Sequence, residues 1–437
     1  MHRNVAIKPI IAVCAIGLLL SGVTGTSFAQ SSATTAGNGT IKTEGACDKS
    51  KSKVPVAALI VGETPVLDLQ DQADALVASA KQFNKKYNGI GGHCFDLTVC
   101  DVKADPNTAA DCARQVAASD AVATLNDTTP FGAADVVAIL KNAGIPRVDV
   151  SPGTDELKDS NSYAIGAGGA GTTFMMVPPL TRNGYKKIYM IGVDTPTIDA
   201  LKQIMGTMAK AYGAEIVGLS KVPGGTTDFQ QFVQAAEDAG ADSVILPLGD
   251  NEAKQVLQAA QQLGSKLAFS VSLGTFGRAD IKDLGKFAKQ MYFNAEIPPP
   301  TASTKTWPVL KNIKADIASG GTKENQPELL KSSPVRSWIA LWHLKTIMEN
   351  SGNVDNITKQ TVTAAMNSAT NVDTFGLIPP WTPNKPSNIL GGAFNRVSNP
   401  WYYYETWNGK DFVIAKDKLN VENELNGTIK YDQPVAS

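Results

Sequence analysis

Apolar and polar positions alternate in blocks along this chain. Residues 95–101, 121–125 and 146–150 are short runs rich in leucine and β-branched side chains. Between them, residues 107–119 and 133–143 carry alanines and aliphatics at helical spacing. This strand–helix–strand–helix–strand order predicts a parallel α/β sheet. Each predicted strand ends in a small polar loop: Asp101, then Asn126-Asp127-Thr128-Thr129, then Ser151-Pro152-Gly153-Thr154. Ligands of open α/β sheets bind beyond the carboxyl ends of the strands. These loops are therefore the first candidate site.

The alternation extends in both directions. Residues 54–61 predict a first buried strand and residues 67–87 a long amphipathic helix. Asn88-Gly89-Ile90-Gly91-Gly92 closes that helix with glycines suited to positive φ. A second α/β series follows, with strands at 162–165, 186–193, 215–220, 243–248, 267–272 and 291–295. Its helices fall at 172–182 (broken by Pro178-Pro179), 197–212, 228–239 and 252–263. The pattern changes after Ile297-Pro298-Pro299-Pro300. Helices are predicted at 307–319, 337–350 and 358–368, then an irregular stretch over 375–392. Residues 400–407 and 411–415 form a hairpin around Asn408-Gly409-Lys410, since Asn-Gly is a strong turn signal. Two α/β series with a helical return predict two lobes and several chain crossings.

The N-terminus reads as a secretory signal. Arg3 and Lys8 precede an apolar run at 10–20, and Ser27-Phe28-Ala29 is a cleavage site, so export with cleavage near Ala29 is expected. The apolar run is shorter than the ~18 residues a spanning helix needs. Residues 30–53 are rich in Ser, Thr, Gly and Lys and read as a flexible leader. With 43% hydrophobic and 19% charged residues the composition is that of a globular protein. Removing residues 1–29 leaves 38 basic against 41 acidic residues, a net charge of −3. That balance argues against nucleic acid as a partner.

Four cysteines remain beyond the signal: Cys47, Cys94, Cys100 and Cys112. An even count in an exported chain predicts disulfides. Cys94 and Cys100 flank one strand at ~3.3 Å per residue, ~20 Å apart, well beyond the ~7 Å Cα limit for a bridge. Cys100 and Cys112 lie at a strand end and early in the returning helix, so they can meet, which leaves Cys47 with Cys94. With His93 and His343 the only histidines left, neither a metal site nor a cofactor is expected.

Enzyme signals are sparse. G-x-S-x-G, P-loop and H-E-x-x-H motifs do not occur. Gly166-Ala167-Gly168-Gly169-Ala170-Gly171 fits G-x-G-x-x-G after a predicted strand, with Asp194 ending the next strand, which is the dinucleotide fingerprint in outline. Its position far into the chain, the prolines in its helix and the export signal favour a Gly-rich crossover between lobes. His343, beside Trp338 and Trp342, reads as a packing residue. Trp401-Tyr402-Tyr403-Tyr404-Glu405-Thr406-Trp407 alternates faces with period two. The strand-end loops carry the better signal. Asp127, Thr128, Thr129, Gly153 and Thr154 bring hydroxyls and amides that suit a carboxylate. Asp194 and Asp250 end successive strands of the second lobe, and one of them is expected to hold an ammonium.

Several short motifs together resemble the type I periplasmic solute-binding proteins of ABC transporters, in the leucine/isoleucine/valine-binding branch. They are Phe83-Asn84 through Gly92, residues 97–101 with Asp105-Pro106, Ala143-Gly144-Ile145-Pro146, Ser151-Pro152, and residues 225–229 with Asp228-Phe229. Their order and spacing cover most of residues 54–297 and loosely the rest. The resemblance implies two Rossmann-like lobes with parallel sheets, joined by three hinge crossings and closing on a small ligand. The expected organisation is a signal at 1–29, a leader at 30–53, the first lobe at 54–165 and the second at 166–296. A return to the first lobe follows at 297–375, then a final crossing and a second-lobe hairpin at 376–437. By position, ligand contacts fall on residues 127–131 (including Phe131), on Gly153 and Thr154, and near Thr197, Asp250 and Phe276. The first loop lacks the family's usual serines, Thr197 stands where a tyrosine is common, and the loop after Ser151-Pro152 is short. The expected function is capture of an amino acid or a related carboxylate or aromatic compound for a membrane permease, by a monomer without cofactor. A ligand-sensing receptor domain and an exported NAD-dependent enzyme are the alternatives.

Overall fold

The computed structural model describes residues 41, 43–64, 67–153, 155–195, 198–272, 278–320, 332–392, 394–410 and 412–425. The first sheet begins with β1 (Val54–Ile60), which is buried along almost its whole length. A parallel strand covered by helices on both faces must be apolar throughout, and this one is. After it come α1 (Gln70–Lys86), β2 (Phe95–Asp101), α2 (Pro106–Ala118), β3 (Ala123–Leu125), α3 (Ala133–Asn142), β4 (Arg147–Val150) and β5 (Ser162–Ala164). The five strands are parallel in the order β2-β1-β3-β4-β5. The order reverses at β1/β3, and a doubly wound sheet opens a crevice there, at the carboxyl ends. Local chemistry supports the elements. The Asp105 carboxylate caps α2 by accepting the Thr108 amide at 2.7 Å, with Pro106 in the first helical position.

The chain leaves this sheet through α4 (Gly168–Phe174) and α5 (Val177–Arg182). It then builds β6 (Lys187–Val193), α6 (Ile198–Ala211), β7 (Glu215–Val222), α7 (Gln230–Asp238) and β8 (Ser243–Ile245). α8 (Asp250–Leu263), β9 (Ala268–Ser272), α9 (Arg278–Leu284) and β10 (Met291–Ala295) complete this series. Its parallel strands repeat the topology of the first sheet in the order β7-β6-β8-β9-β10. α10 (Val309–Gly320), α11 (Ser333–Ser351) and α12 (Lys359–Ser368) return to pack with α1 on one face of the first sheet, while α2 and α3 cover the other. Finally β11 (Trp401–Trp407) and β12 (Phe412–Asn420) add an antiparallel edge beside β10, and α13 (Val421–Leu425) follows. The chain thus crosses three times between two α/β lobes, as the family resemblance implies. The third crossing runs beside the first, where the Asn399 amide donates to the Ile165 carbonyl at 2.8 Å.

Both expected disulfides form, with Cα separations of 5.3 Å for Cys47–Cys94 and 5.8 Å for Cys100–Cys112. Four expectations need correction. The leader is not free over the whole of 30–53. From Glu44 onward it is docked, by Glu44 and Gly45 amides donating to the Lys86 carbonyl and by the Cys47 bridge. The helix at 172–182 is interrupted at Met175-Met176, not at the prolines. Pro178 and Pro179 sit in the first turn of α5, where a missing N–H costs nothing. The hairpin's second strand runs to Asn420 rather than ending at 415. The return to the first lobe extends past 375, since Leu377, Ile378 and Trp381 are buried in the first core.

Candidate functional site

A cavity of about 390 Å³ opens at the carboxyl edge of the first sheet and reaches across to the second. Thr128 and Pro130 line it from the loop after β3, and Ser151, Pro152 and Gly153 from the loop after β4. The second lobe contributes Asn294 and Ala295 at the end of β10. Gln72 of α1 borders the same space, and its Nε2 donates to the Asn126 carbonyl at 2.6 Å and to Thr128 Oγ1 at 3.0 Å. Ser332 and Ser333, at the start of α11, add two further hydroxyls.

Among the described residues of this lining the charged ones are Glu296 and Arg336, and they pair with each other. Arg336 Nη2 also donates to the Val150 carbonyl at 2.8 Å. Glu296 Oε1 accepts the Gly168 amide at 2.8 Å and the Tyr402 hydroxyl at 2.7 Å. Burial first, and then the charge of Glu296, push the Tyr402 hydroxyl well above the ordinary tyrosine value. One carboxylate therefore joins all three crossings, through Gly168 on the first, its own position on the second, and Tyr402 just after the third. The glycine-rich run is explained by the same knot. A Cβ at Gly166 would collide with the Glu296 carboxylate, one at Gly168 with the Pro152 carbonyl, and one at Gly171 with the Tyr402 hydroxyl. The run follows the edge strand β5, away from the β1/β3 switch point where a nucleotide pyrophosphate would sit.

Beneath the cavity lies a buried ionic cluster. Asp127 Oδ1 accepts the Leu59 amide at 2.9 Å, and its Oδ2 accepts Thr124 Oγ1 at 2.5 Å and Arg147 Nε at 3.0 Å. Arg147 Nη1 reaches Glu156 at 3.1 Å and Nη2 reaches Thr129 at 3.2 Å. Glu156 also accepts the Thr129 hydroxyl and the Gly153 amide, both at 3.0 Å. Burial opposes the charge of Arg147, but the two carboxylates outweigh it and hold the guanidinium above its usual pKa. The cluster fixes the loops after β3 and β4 from below.

The family model described as periplasmic binding protein matches residues 56–411. The chain belongs to this periplasmic binding protein family. A Leu/Ile/Val-binding protein homolog from Brucella abortus is 28% identical over 172 residues, covering 37% of this chain and 43% of the Brucella protein. The matched stretch thus spans less than half of that relative's length. Among solved structures, an ABC-transporter solute-binding protein from R. palustris in complex with 4-hydroxybenzoate superposes with a TM-score of 0.67 at 16% identity. It covers 85% of this chain and 98% of that one. A fatty acid ABC transporter substrate-binding protein from Thermomonospora curvata gives a TM-score of 0.68 at 15% identity, covering 90% and 98%. At such identities these structures share the fold.

This periplasmic binding protein fold brings only some of the sequence-derived residues to the cavity. Thr128 and Gly153 line it. Asp127 and Thr129 do not. Both are buried with their polar atoms engaged by the Arg147 cluster, because the loop turns their side chains into the lobe. Phe131 is half-buried outside the lining, and Asp194 is exposed beyond β6. Thr154, Thr197, Phe276 and the Asp250 side chain lie outside the described residues. His343 packs its ring 4.5 Å from that of Trp381, and its Nδ1 lies 2.7 Å from Asp149, fully buried. Sequence reasoning missed Gln72, Asn294, Glu296 and Arg336. Arg336 had a usable signal, being a lone cation in the apolar start of α11, Pro334-Val335-Arg336-Ser337-Trp338. Glu296 had a weaker one, as a charge directly after a buried strand.

Proposed function

We propose that this protein captures a small solute between its lobes outside the cytoplasm and delivers it to the membrane permease of an ABC importer. The observation that carries this reading is the first cavity. It is lined from both sheets, at the carboxyl ends of strands, around a three-crossing knot that lets the lobes close as bodies. The two disulfides and the basic-then-apolar pattern of residues 1–29 support export, with cleavage near Ala29. The solute class is an amino acid or a related carboxylate or aromatic compound. Its acid group is met by hydroxyls and amides, because Arg336, the one arginine among the described residues of the lining, is already committed to Glu296. Thr128, Ser151 and Gly153 are the first-lobe contacts in this reading. The 4-hydroxybenzoate of the R. palustris complex is of the same class.

A thermal-shift screen with amino acids, aromatic acids including 4-hydroxybenzoate, small amides and nicotinamide nucleotides tests the reading. A true solute raises the melting temperature by mass action. At least one acid should do so, and Thr128→Val and Ser151→Ala should weaken that shift. A shift with a nucleotide alone would refute the transport reading.

A further inference from the structure

A second cavity of about 370 Å³ continues from the first, and Gly169 and Thr172 of α4 line both. It lies at the carboxyl ends of β6 and β8, where the strand order of the second sheet reverses. Its wall is mostly aliphatic, with Met176, Val193, Ile198, Leu201, Pro247 and Leu248, and Thr195 just after β6 also lines it. The α4 hydroxyls on it are already spent within the helix. Thr172 donates to the Gly168 carbonyl at 2.7 Å and Thr173 to the Gly169 carbonyl at 2.8 Å. No charged side chain lines it among the described residues. Val193 is left 38% exposed at the end of a central strand, where a large aliphatic side chain gains nothing from facing water.

We propose that this second cavity is a subsite for an extended apolar arm of the solute, whose polar head occupies the first. The inference rests on the solute reading of the first cavity and narrows its class to amphipathic acids with an unbranched aliphatic or similarly slim arm. The head meets the hydroxyls of the first lobe, and the arm passes Gly169 and Thr172. It then covers Val193 and Leu201, exchanging their water for hydrocarbon. The two lobes thereby divide the work, the first reading polarity and the second reading length.

Isothermal titration calorimetry with straight-chain monocarboxylates from acetate to decanoate, and with 4-hydroxybenzoate as a compact acid, tests this. Affinity should rise about fourfold for each added methylene until the cavity is full. Leu201→Asp should flatten that rise. Val193→Ser, at an exposed position that does not threaten folding, should do the same more weakly. Binding of compact acids without a gain along the series overturns the arm and leaves the first-cavity reading standing. Equal losses for short and long acids in both variants also overturn it. Absence of heat with every acid overturns the carboxylate reading and the arm together.

Discussion

Asp127 and Glu405 are both fully buried, yet their surroundings differ in kind. Asp127 accepts three hydrogen bonds, one of them from Arg147. Glu405, on β11, has no hydrogen-bond partner for either carboxylate oxygen. Burial alone raises its pKa well above the ordinary glutamate value. Below the unfolded value near 4.5 both states hold the proton, and above it only the folded chain does. Stability therefore falls as pH rises, by up to about 1.4 kcal/mol per pH unit, until the folded carboxyl itself ionises. Glu405→Gln should remove this slope, so urea unfolding at pH 5, 6.5 and 8 should show the variant gaining on the parent as pH rises. Parallel profiles would contradict the assignment. Neither fate was legible in sequence. Asp127 stands in a polar strand-end loop and Glu405 follows a run of tyrosines, and only the fold places an arginine beside the first of them.

At the level of elements, the segment from Glu44 to Asp48 becomes part of the first lobe through one covalent bond and a few polar ones. Cys47 bonds to Cys94 at the mouth of β2, the Gly45 carbonyl accepts the Asn88 amide at 3.0 Å, and Glu44 meets the buried Lys345 at 3.1 Å. In the chain-entropy model the bridge across 47 residues contributes about 4 kcal/mol, against about 3 kcal/mol for the one across 12. A Cys47→Ala/Cys94→Ala variant should therefore lose more stability than Cys100→Ala/Cys112→Ala. It should also open residues 44–53 to limited proteolysis, which the second variant should not. Equal cleavage in both would show that the polar contacts alone hold the segment. The pairing was readable because strand length forbids Cys94–Cys100 and because the strand end at Cys100 can meet the returning helix at Cys112. The docking was not, because Lys345 lies some 300 residues from Glu44 and its burial depends on α11.

Across the molecule as a whole, the two lobes meet through Glu296. Its partners Gly168, Arg336 and Tyr402 come from three separate parts of the chain. Removing one member of a buried ion pair leaves the other uncompensated and typically costs about 3–5 kcal/mol. Glu296→Gln should lower the unfolding midpoint accordingly and, without solute, broaden the distribution of lobe separations seen by small-angle X-ray scattering. A double replacement, Glu296→Met with Arg336→Met, should recover most of the stability, since two apolar side chains need no partner, but not the narrow distribution. If the single variant scatters like the parent, the knot does not set lobe geometry.

Periodicity, turn chemistry and reach are local properties, and they were enough to predict the α/β class, the two series, the hairpin turn at Asn408-Gly409 and both disulfides. They also pointed to the sheet edge where the first cavity opens, since strand-end loops follow from strand order. Packing between distant segments settled which loop side chains turn outward, leaving Thr128 in the cavity and drawing Asp127 inward to Arg147. It likewise joined Glu296 to Arg336 and set an aliphatic wall beside the polar one. Those outcomes depend on side-chain direction and on contacts between residues far apart in the chain, and no spacing along the sequence encodes either.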